Sequence, residues 1–139
     1  MMVTLSDDFQ MNNIARMKEI YQSVGWKKHS EKVIEQIFSS SNHTVFAVIN
    51  GELVGFARAI SDGVFNAAIY DVIVHPDFQG QGIAKMIVDE LLVQLKSISC
   101  IHMISTSGNE EFYKKCGFKK LKTGMARYLD VHLTEEYLT

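Results

Sequence analysis

Val72-Ile73-Val74-His75-Pro76-Asp77-Phe78-Gln79-Gly80-Gln81-Gly82-Ile83-Ala84-Lys85 decides how this chain is read. An apolar, β-branched run meets the only proline, crosses a loop with two glycines and enters an amphipathic helix. Strand, glycine loop and helix start in that order build an anion site. Glycines let a ligand approach the backbone, and the unpaired N–H groups of the first helical turn point at it. A nucleotide P-loop requires G-x-x-x-x-G-K-[ST]. Here a single residue separates Gly80 from Gly82, and Met86 follows Lys85, so no hydroxyl is placed for Mg²⁺. A dinucleotide fingerprint requires G-x-G-x-x-G. Lys85 stands where its third glycine belongs.

Working outward, the chain reads as alternating elements. Val3–Leu5 starts a short strand. Ile14, Met17, Ile20, Tyr21 and Val24 recur at helical spacing over Asn12 to Val24, and Gly25 ends that helix. Ser30 caps a second helix carrying Val33, Ile34, Ile37 and Phe38. Val45–Ile49 and Leu53–Ala59 are strands joined by Asn50-Gly51, a strong hairpin signal. Ala67–Val74 follows Asp62-Gly63 as an antiparallel neighbour and leads into the glycine loop. Ile83–Leu95 is the helix beyond the loop, with Ile87, Val88, Leu91 and Leu92 on its apolar side. Ile98–Ser105 is a strand, parallel to Ala67–Val74 because a helix connects them. Ser107-Gly108-Asn109-Glu110 matches a capping box for a short helix, Glu110–Cys116, closed by Gly117. Phe118–Leu121 and Met125–Val131 read as a final hairpin. The order β-α-α-β-β-β-α-β-α-β-β predicts an α/β (α+β) mixed sheet with helices on its faces.

The bulk properties narrow the classes. The 139 residues suit a single domain, 1–139, able to bury a core without a metal or disulfide staple. A net charge of −2 gives no argument for nucleic acid or a membrane surface as partner. The cysteines, Cys100 and Cys116, and the five histidines show no metal-ligand spacing, so no metal is expected. With no secretory or membrane-spanning signal, the expectation is a cytoplasmic protein with reduced thiols.

Gln79-x-x-Gly82-x-Ala84 followed, one strand later, by Tyr113-Lys114-Lys115-Cys116-Gly117-Phe118 resembles the GNAT superfamily of acetyl-CoA-dependent N-acetyltransferases. That family carries [Q/R]-x-x-G-x-[G/A] and then Y-x-x-x-G-F. The resemblance is strongest from Val45 to Phe118. It implies that backbone N–H groups of Gln79, Gly80, Gln81, Gly82, Ile83 and Ala84 wrap the pyrophosphate of coenzyme A, with Lys85 adding charge. It implies that Ile73 and Val74 pair with the pantetheine arm as if it were an added strand. Val74 N–H then polarises the thioester carbonyl, and Tyr113 acts as general acid, donating a proton or hydrogen bond to the leaving thiolate.

The chain departs from the family's pattern in two respects. Where relatives carry a carboxylate or histidine base on the strand before the loop, this chain has Ala68 and Tyr70. Period-2 alternation places Asp71 on the opposite face from Tyr70. Deprotonation through ordered water near Tyr70 is the remaining route. Thr106 stands where many relatives place an asparagine against the pantetheine, so a hydroxyl contact is expected there. His75 reads equally as a solvent-accessible turn residue or as a base, and Cys116 as packing. The acceptor pocket is expected between the first two helices and the final hairpin, with Tyr21, Trp26, Phe65, Arg58 and Arg127 as candidates. The function so implied is acetyl transfer from acetyl-CoA to a primary amine by direct attack in a ternary complex. The alternatives are a non-catalytic acyl-CoA-binding module and a transferase using another acyl donor. Such domains are often homodimers, though the sequence marks no interface.

Overall fold

A computed structural model describes residues 2–139 (for Asn12, the backbone only). The described residues form these strands and α-helices: β1 (Val3–Ser6), α1 (Ile14–Ser23), α2 (Glu31–Ser39), β2 (His43–Ile49), β3 (Glu52–Ser61), β4 (Asn66–Val74), α3 (Ile83–Gln94), β5 (Cys100–His102), α4 (Glu110–Lys115) and α5 (Val131–Tyr137). The strands form one mixed sheet in the order β1-β2-β3-β4-β5, antiparallel except for the parallel β4–β5 pair. β4 and β5 can run parallel because α3 crosses between them.

Each sheet face has its own core. Ile83, Ile87, Leu91 and Leu95 of the α3 segment recur every fourth residue and pack on Val45, Ala47, Ala57, Ala59, Ala67 and Ile69. Alanines on this face let the helix lie close to the sheet. On the other face Met17, Ile20 and Tyr21 of α1 and Ile34 and Phe38 of α2 cover Phe46, Leu53, Phe56 and Ile73. Ser30 Oγ accepts from Val33 N–H at 3.2 Å and caps α2 as expected. No described helix is long and apolar enough to cross a membrane.

Gly55 of β3 has a packing role that bears on the site. A Cβ there would stand 2.8 Å from the Ile73 carbonyl oxygen, 3.0 Å from Val74 Cγ2 and 3.2 Å from Ile87 Cδ1. The Gly55→Ala protein is expected to lose about 1–3 kcal/mol, because backbone and not a flexible side-chain tip must move. Denaturant titration measures that loss.

The C-terminal region corrects the sequence reading. Phe118–Leu121 and Met125–Val131 form no hairpin, and β5 is limited to Cys100–His102 instead of Ile98–Ser105. A strand pattern needs a ladder to join, and β5 pairs through only three residues, Cys100 to His102. Met125 and Leu129 therefore stay solvent-exposed. Local capping organises the last helix: Asp130 Oδ1 accepts from His132 N–H at 2.8 Å and starts α5. The capping box is also absent. α4 begins at Glu110 with Asn109 as its N-cap residue, and Glu110 pairs with Lys120 at 3.0 Å instead of reaching back.

Candidate active site

β4 and β5 stay together only at Asn66–Cys100, Ala67–Ile101 and Ala68–His102. Beyond Ala68 the strands part, and the β5-facing backbone groups of β4 lose their ladder. His75 N–H bonds Val54 O at 2.8 Å, so the alternation of the antiparallel β3–β4 ladder turns Val74 N–H away from β3 and toward the gap. Gln79 Nε2 donates to the Val74 carbonyl at 2.8 Å, which ties the loop to the strand end. Between them Pro76–Phe78 makes one 3-10 turn, with His75 Nδ1 accepting from Asp77 N–H at 3.1 Å. His75 thus serves as a turn residue.

The loop then delivers the start of α3. Gly82 is its N-cap residue, at φ 81° and with no side-chain cap. Such a φ favours glycine, and a Cβ on Gly80 or Gly82 would meet no protein atom within 4 Å. The loop therefore fronts open space. The first intrahelical bond runs from Met86 N–H to Gly82 O at 3.1 Å, which leaves the preceding N–H groups free for an anion.

A cavity of about 490 Å³ occupies the gap. Val72, Ile73 and Val74 form its β4 wall, and Gln79 and Ala84 its loop end. Thr106, Asn109, Phe112 and Tyr113 close it from the α4 side, and Val24 and Trp26 from the end of α1. Among the described residues that line it, none is charged. Of the coenzyme-site residues that the resemblance implies, Ile73, Val74, Gln79, Ala84, Thr106 and Tyr113 meet here. Gly80, Gln81, Gly82 and Ile83 lie just outside the lining, as the loop and first turn. Lys85 pairs with Asp89 at 2.7 Å on the helix surface, and that partner holds its ammonium above the usual lysine range.

Tyr113 is placed by helix termination. Gly117 N–H bonds Lys114 O and Phe118 N–H bonds Tyr113 O, both at 3.0 Å, a Schellman closure that fixes the last turn. Its ring packs edge-on against Phe112 at 4.9 Å and Phe118 at 6.1 Å. Burial pushes its phenol up to about 12, with nearby Cys116 adding to the shift, so it stays a neutral donor at physiological pH. Asn109 Nδ2 donates to Thr106 Oγ1 at 2.6 Å. The hydroxyl expected to face the pantetheine thus comes with an amide that the sequence reading left in the helix cap. Cys116 is half-buried, and burial followed by Asp89 pushes its thiol up, which disfavours a nucleophilic thiolate.

β4 carries an irregularity that the alternation argument missed. Phe56 pairs with Ile73 but Arg58 pairs with Tyr70, so Asp71 and Val72 together oppose Ala57. This is a β-bulge, and Asp71 sits in it at φ 56°. The bulge resets the alternation and turns Asp71 to the same face as Tyr70, contrary to the expectation of opposite faces. There Asp71 Oδ2 accepts from Arg58 Nε and from Tyr21 OH, each at 2.8 Å. Tyr70 is exposed, its ring 4.9 Å from the Arg58 guanidinium carbon, and outside the cavity lining.

The acceptor candidates separate accordingly. Tyr21 is fully buried, and burial and then the Asp71 charge raise its phenol far above the usual range. Arg58 is spent on Asp71, Phe65 lies exposed in the β3–β4 connection, and Arg127 falls in the segment that forms no hairpin. Trp26 alone of the five lines the cavity.

The model of the Acetyltransferase (GNAT) family matches residues 11–118. The uncharacterised N-acetyltransferase ycf52 of Pyropia yezoensis is 39% identical over 119 residues, 81% of this chain and 68% of that protein. The chloroplastic GCN5-related N-acetyltransferase 1 of Arabidopsis thaliana is 32% identical over 110 residues, 76% of this chain and 56% of that protein. In structure, a probable acetyltransferase of unknown function from meticillin-resistant Staphylococcus aureus superposes with a TM-score of 0.82 at 21% identity, covering 93% of this chain and 99% of that one. With a family match across most of its length and a strand splay beside a glycine-started helix, this chain belongs to the GNAT family of N-acetyltransferases.

Proposed function

We propose that the protein transfers the acetyl group of acetyl-CoA to a primary amine by direct attack within a ternary complex. The observation that carries this reading is the meeting of the free edge of β4, the start of α3 and Tyr113 on one cavity. The family implies an acetyl-CoA donor. Its pyrophosphate would rest on the N–H groups of Gln79 through Ala84. Its pantetheine would run along Ile73 and Val74 toward Thr106 and Asn109. Lys85 would leave Asp89 only if a phosphate outcompeted it.

In the reaction, the amine nitrogen attacks the thioester carbonyl carbon. The C–N bond forms, the C–S bond breaks, and Val74 N–H holds the developing oxyanion. A phenol pushed by burial up to about 12 lies well above an ordinary thiol at ~8.5. Complete proton transfer from Tyr113 to the thiolate is therefore uphill. Tyr113 works as a hydrogen-bond donor to the departing sulfur, and the thiolate finally takes a proton from the pool that the amine supplies through water. An alkylamine with pKa ~10.4 must shed its proton first, at roughly 4–5 kcal/mol at neutral pH. A cavity without charged walls penalises the bound ammonium, so the amine enters neutral and the cost of shedding the proton appears in its binding. Tyr70, exposed and outside the cavity lining, has no observed position from which to relay that proton. The cytoplasmic placement expected from the sequence gains nothing from the Arabidopsis relative, which is named as chloroplastic.

The test is a thermal shift with acetyl-CoA followed by thiol release over a panel of amines. At 100 times Kd the bound coenzyme adds about 2.7 kcal/mol, roughly 5–10 °C for a chain of this size. A shift together with release supports transfer. A shift without release from any amine favours an acyl-CoA-binding module, and a larger shift with a longer acyl chain favours another donor. No shift with any acyl-CoA overturns all three.

A further inference from the structure

We propose that Asp71, held by Tyr21 and Arg58, is a positioning residue that turns the Val74 N–H toward the coenzyme, an inference that rests on the transfer reaction above. The two halves of β4 are out of phase with each other. Asp62 N–H bonds Asn66 O at 3.2 Å, and Cys100 N–H bonds Phe65 O at 2.8 Å. In the first half of the strand, Asn66, Ala68 and Tyr70 therefore turn their backbone groups to β3, and the residues between them turn theirs to β5. Continued without a break, that alternation would spend the Val74 N–H on the β3 ladder and offer Ile73 to the gap. Past the bulge the phase is reversed, because His75 N–H bonds Val54 O at 2.8 Å. Asp71 and Val72, which together oppose Ala57, thus exchange the roles of Ile73 and Val74. The N–H assigned to the thioester carbonyl is free because of the bulge.

Asp71 is where the bulge is held. Its φ of 56° is one that L side chains rarely adopt, so surrounding contacts must maintain it. Two of them come from different elements: Arg58 Nε of β3 and Tyr21 OH of α1 both donate to Asp71 Oδ2 at 2.8 Å. Neither anchor is loose. The Arg58 guanidinium also donates to Ser41 Oγ at 3.3 Å and lies over the Tyr70 ring. Tyr21 is fully buried, with His29 flat against it at 4.2 Å and Phe56, the partner of Ile73, at 5.2 Å. Tyr21, Arg58 and Asp71 stand outside the cavity lining, whereas Val72, Ile73 and Val74 belong to it. The three residues therefore act through the backbone. What they hold is the aim of one N–H, and misplacing a catalytic donor by about 1 Å costs up to ~100-fold in rate.

Two variants loosen the clamp without straining the turn. Tyr21→Phe keeps the buried ring and removes one bond to Asp71. Asp71→Gly accepts the left-handed φ freely and removes both. With folding checked by circular dichroism and the fastest amine of the panel above, kcat should fall about tenfold in Tyr21→Phe and roughly thirtyfold in Asp71→Gly, while the Kd of acetyl-CoA changes less than about threefold. Acetyl-CoA isotope-labelled at the thioester carbonyl reads the hydrogen bond itself. Its infrared carbonyl band should lie at higher frequency in both variants than in the wild-type complex, because the bond from Val74 is weakened. A folded Tyr21→Phe protein with wild-type kcat and an unmoved band overturns the inference while leaving acetyl transfer standing. A loss confined to Kd does the same. If Asp71→Gly fails to fold, Tyr21→Phe decides. If the wild type releases no CoA with any amine, the transfer reaction falls and the band positions alone decide whether the clamp aims Val74. Failure to bind acetyl-CoA removes both.

Discussion

Replacing Tyr113 with Phe is expected to lower kcat by about 10²–10³-fold, with acetyl-CoA affinity changed only slightly. The magnitude is that of removing one preorganised donor from a developing negative charge. The ring keeps its contacts with Phe112 and Phe118, so the helix closure at Gly117 should survive and the thermal stability with it. Because burial pushes the phenol up to about 12, the wild-type profile of kcat against pH should show no loss assignable to Tyr113 below about pH 10. Steady-state kinetics with thiol detection, paired with an acetyl-CoA titration, separates the two effects. Equal turnover in the variant would show that the sulfur leaves without help from this residue.

The second large effect is on stability. Asp71→Ala is expected to cost about 3–5 kcal/mol, or roughly 10–20 °C in Tm. The Asp71 and Arg58 side chains are only 10% and 13% exposed. Removing the carboxylate therefore leaves a guanidinium paired only with Ser41 Oγ at 3.3 Å and a buried Tyr21 hydroxyl without its acceptor. The same change places Ala at the left-handed backbone of the bulge, a conformation that Asp tolerates better. The double variant Arg58→Ala with Asp71→Ala should lose clearly less than the sum of the single losses, because the uncompensated charge is gone. Additive losses in a denaturant-based double-mutant cycle would mean that the pair does not act as a unit.

These two residues also mark how far the sequence could be read. Gln79 and Tyr113 were singled out through the family resemblance, and both line the cavity, whereas Gly82, a glycine at a helix start, carries a local signal. Asn50-Gly51 fixed the β2–β3 turn for the same reason, and both of its residues adopt the positive φ that such a turn needs. The bulge at Asp71 was not legible. It depends on hydrogen bonds to Arg58 of β3 and Tyr21 of α1, and alternation within β4 carries no trace of them.

The final hairpin failed for the opposite reason. Phe118–Leu121 and Met125–Val131 flank a turn-like Lys122-Thr123-Gly124, but a local pattern becomes a strand only where a ladder accepts it, and β5 ends at His102. Ser107 lost its capping role to Asn109 because the turn is closed instead by Asn109 N–H to Thr106 O at 3.2 Å. Trp26 stood among five candidates with nothing to separate it from the others. The signal that could have done so was Gly25: a Schellman closure fixes the residue after its glycine, which here stands at the cavity.

The central claim is that acetyl-CoA lies in the splay between β4 and β5 with its sulfur at Tyr113. A crystal structure of the acetyl-CoA complex measures this directly. The account predicts the pantetheine alongside Ile73 and Val74, the pyrophosphate on the N–H groups from Gln79 to Ala84, and the sulfur within hydrogen-bond reach of the Tyr113 hydroxyl, about 3.5 Å. A coenzyme bound outside that splay, or seated in it with its sulfur remote from Tyr113, would contradict the account.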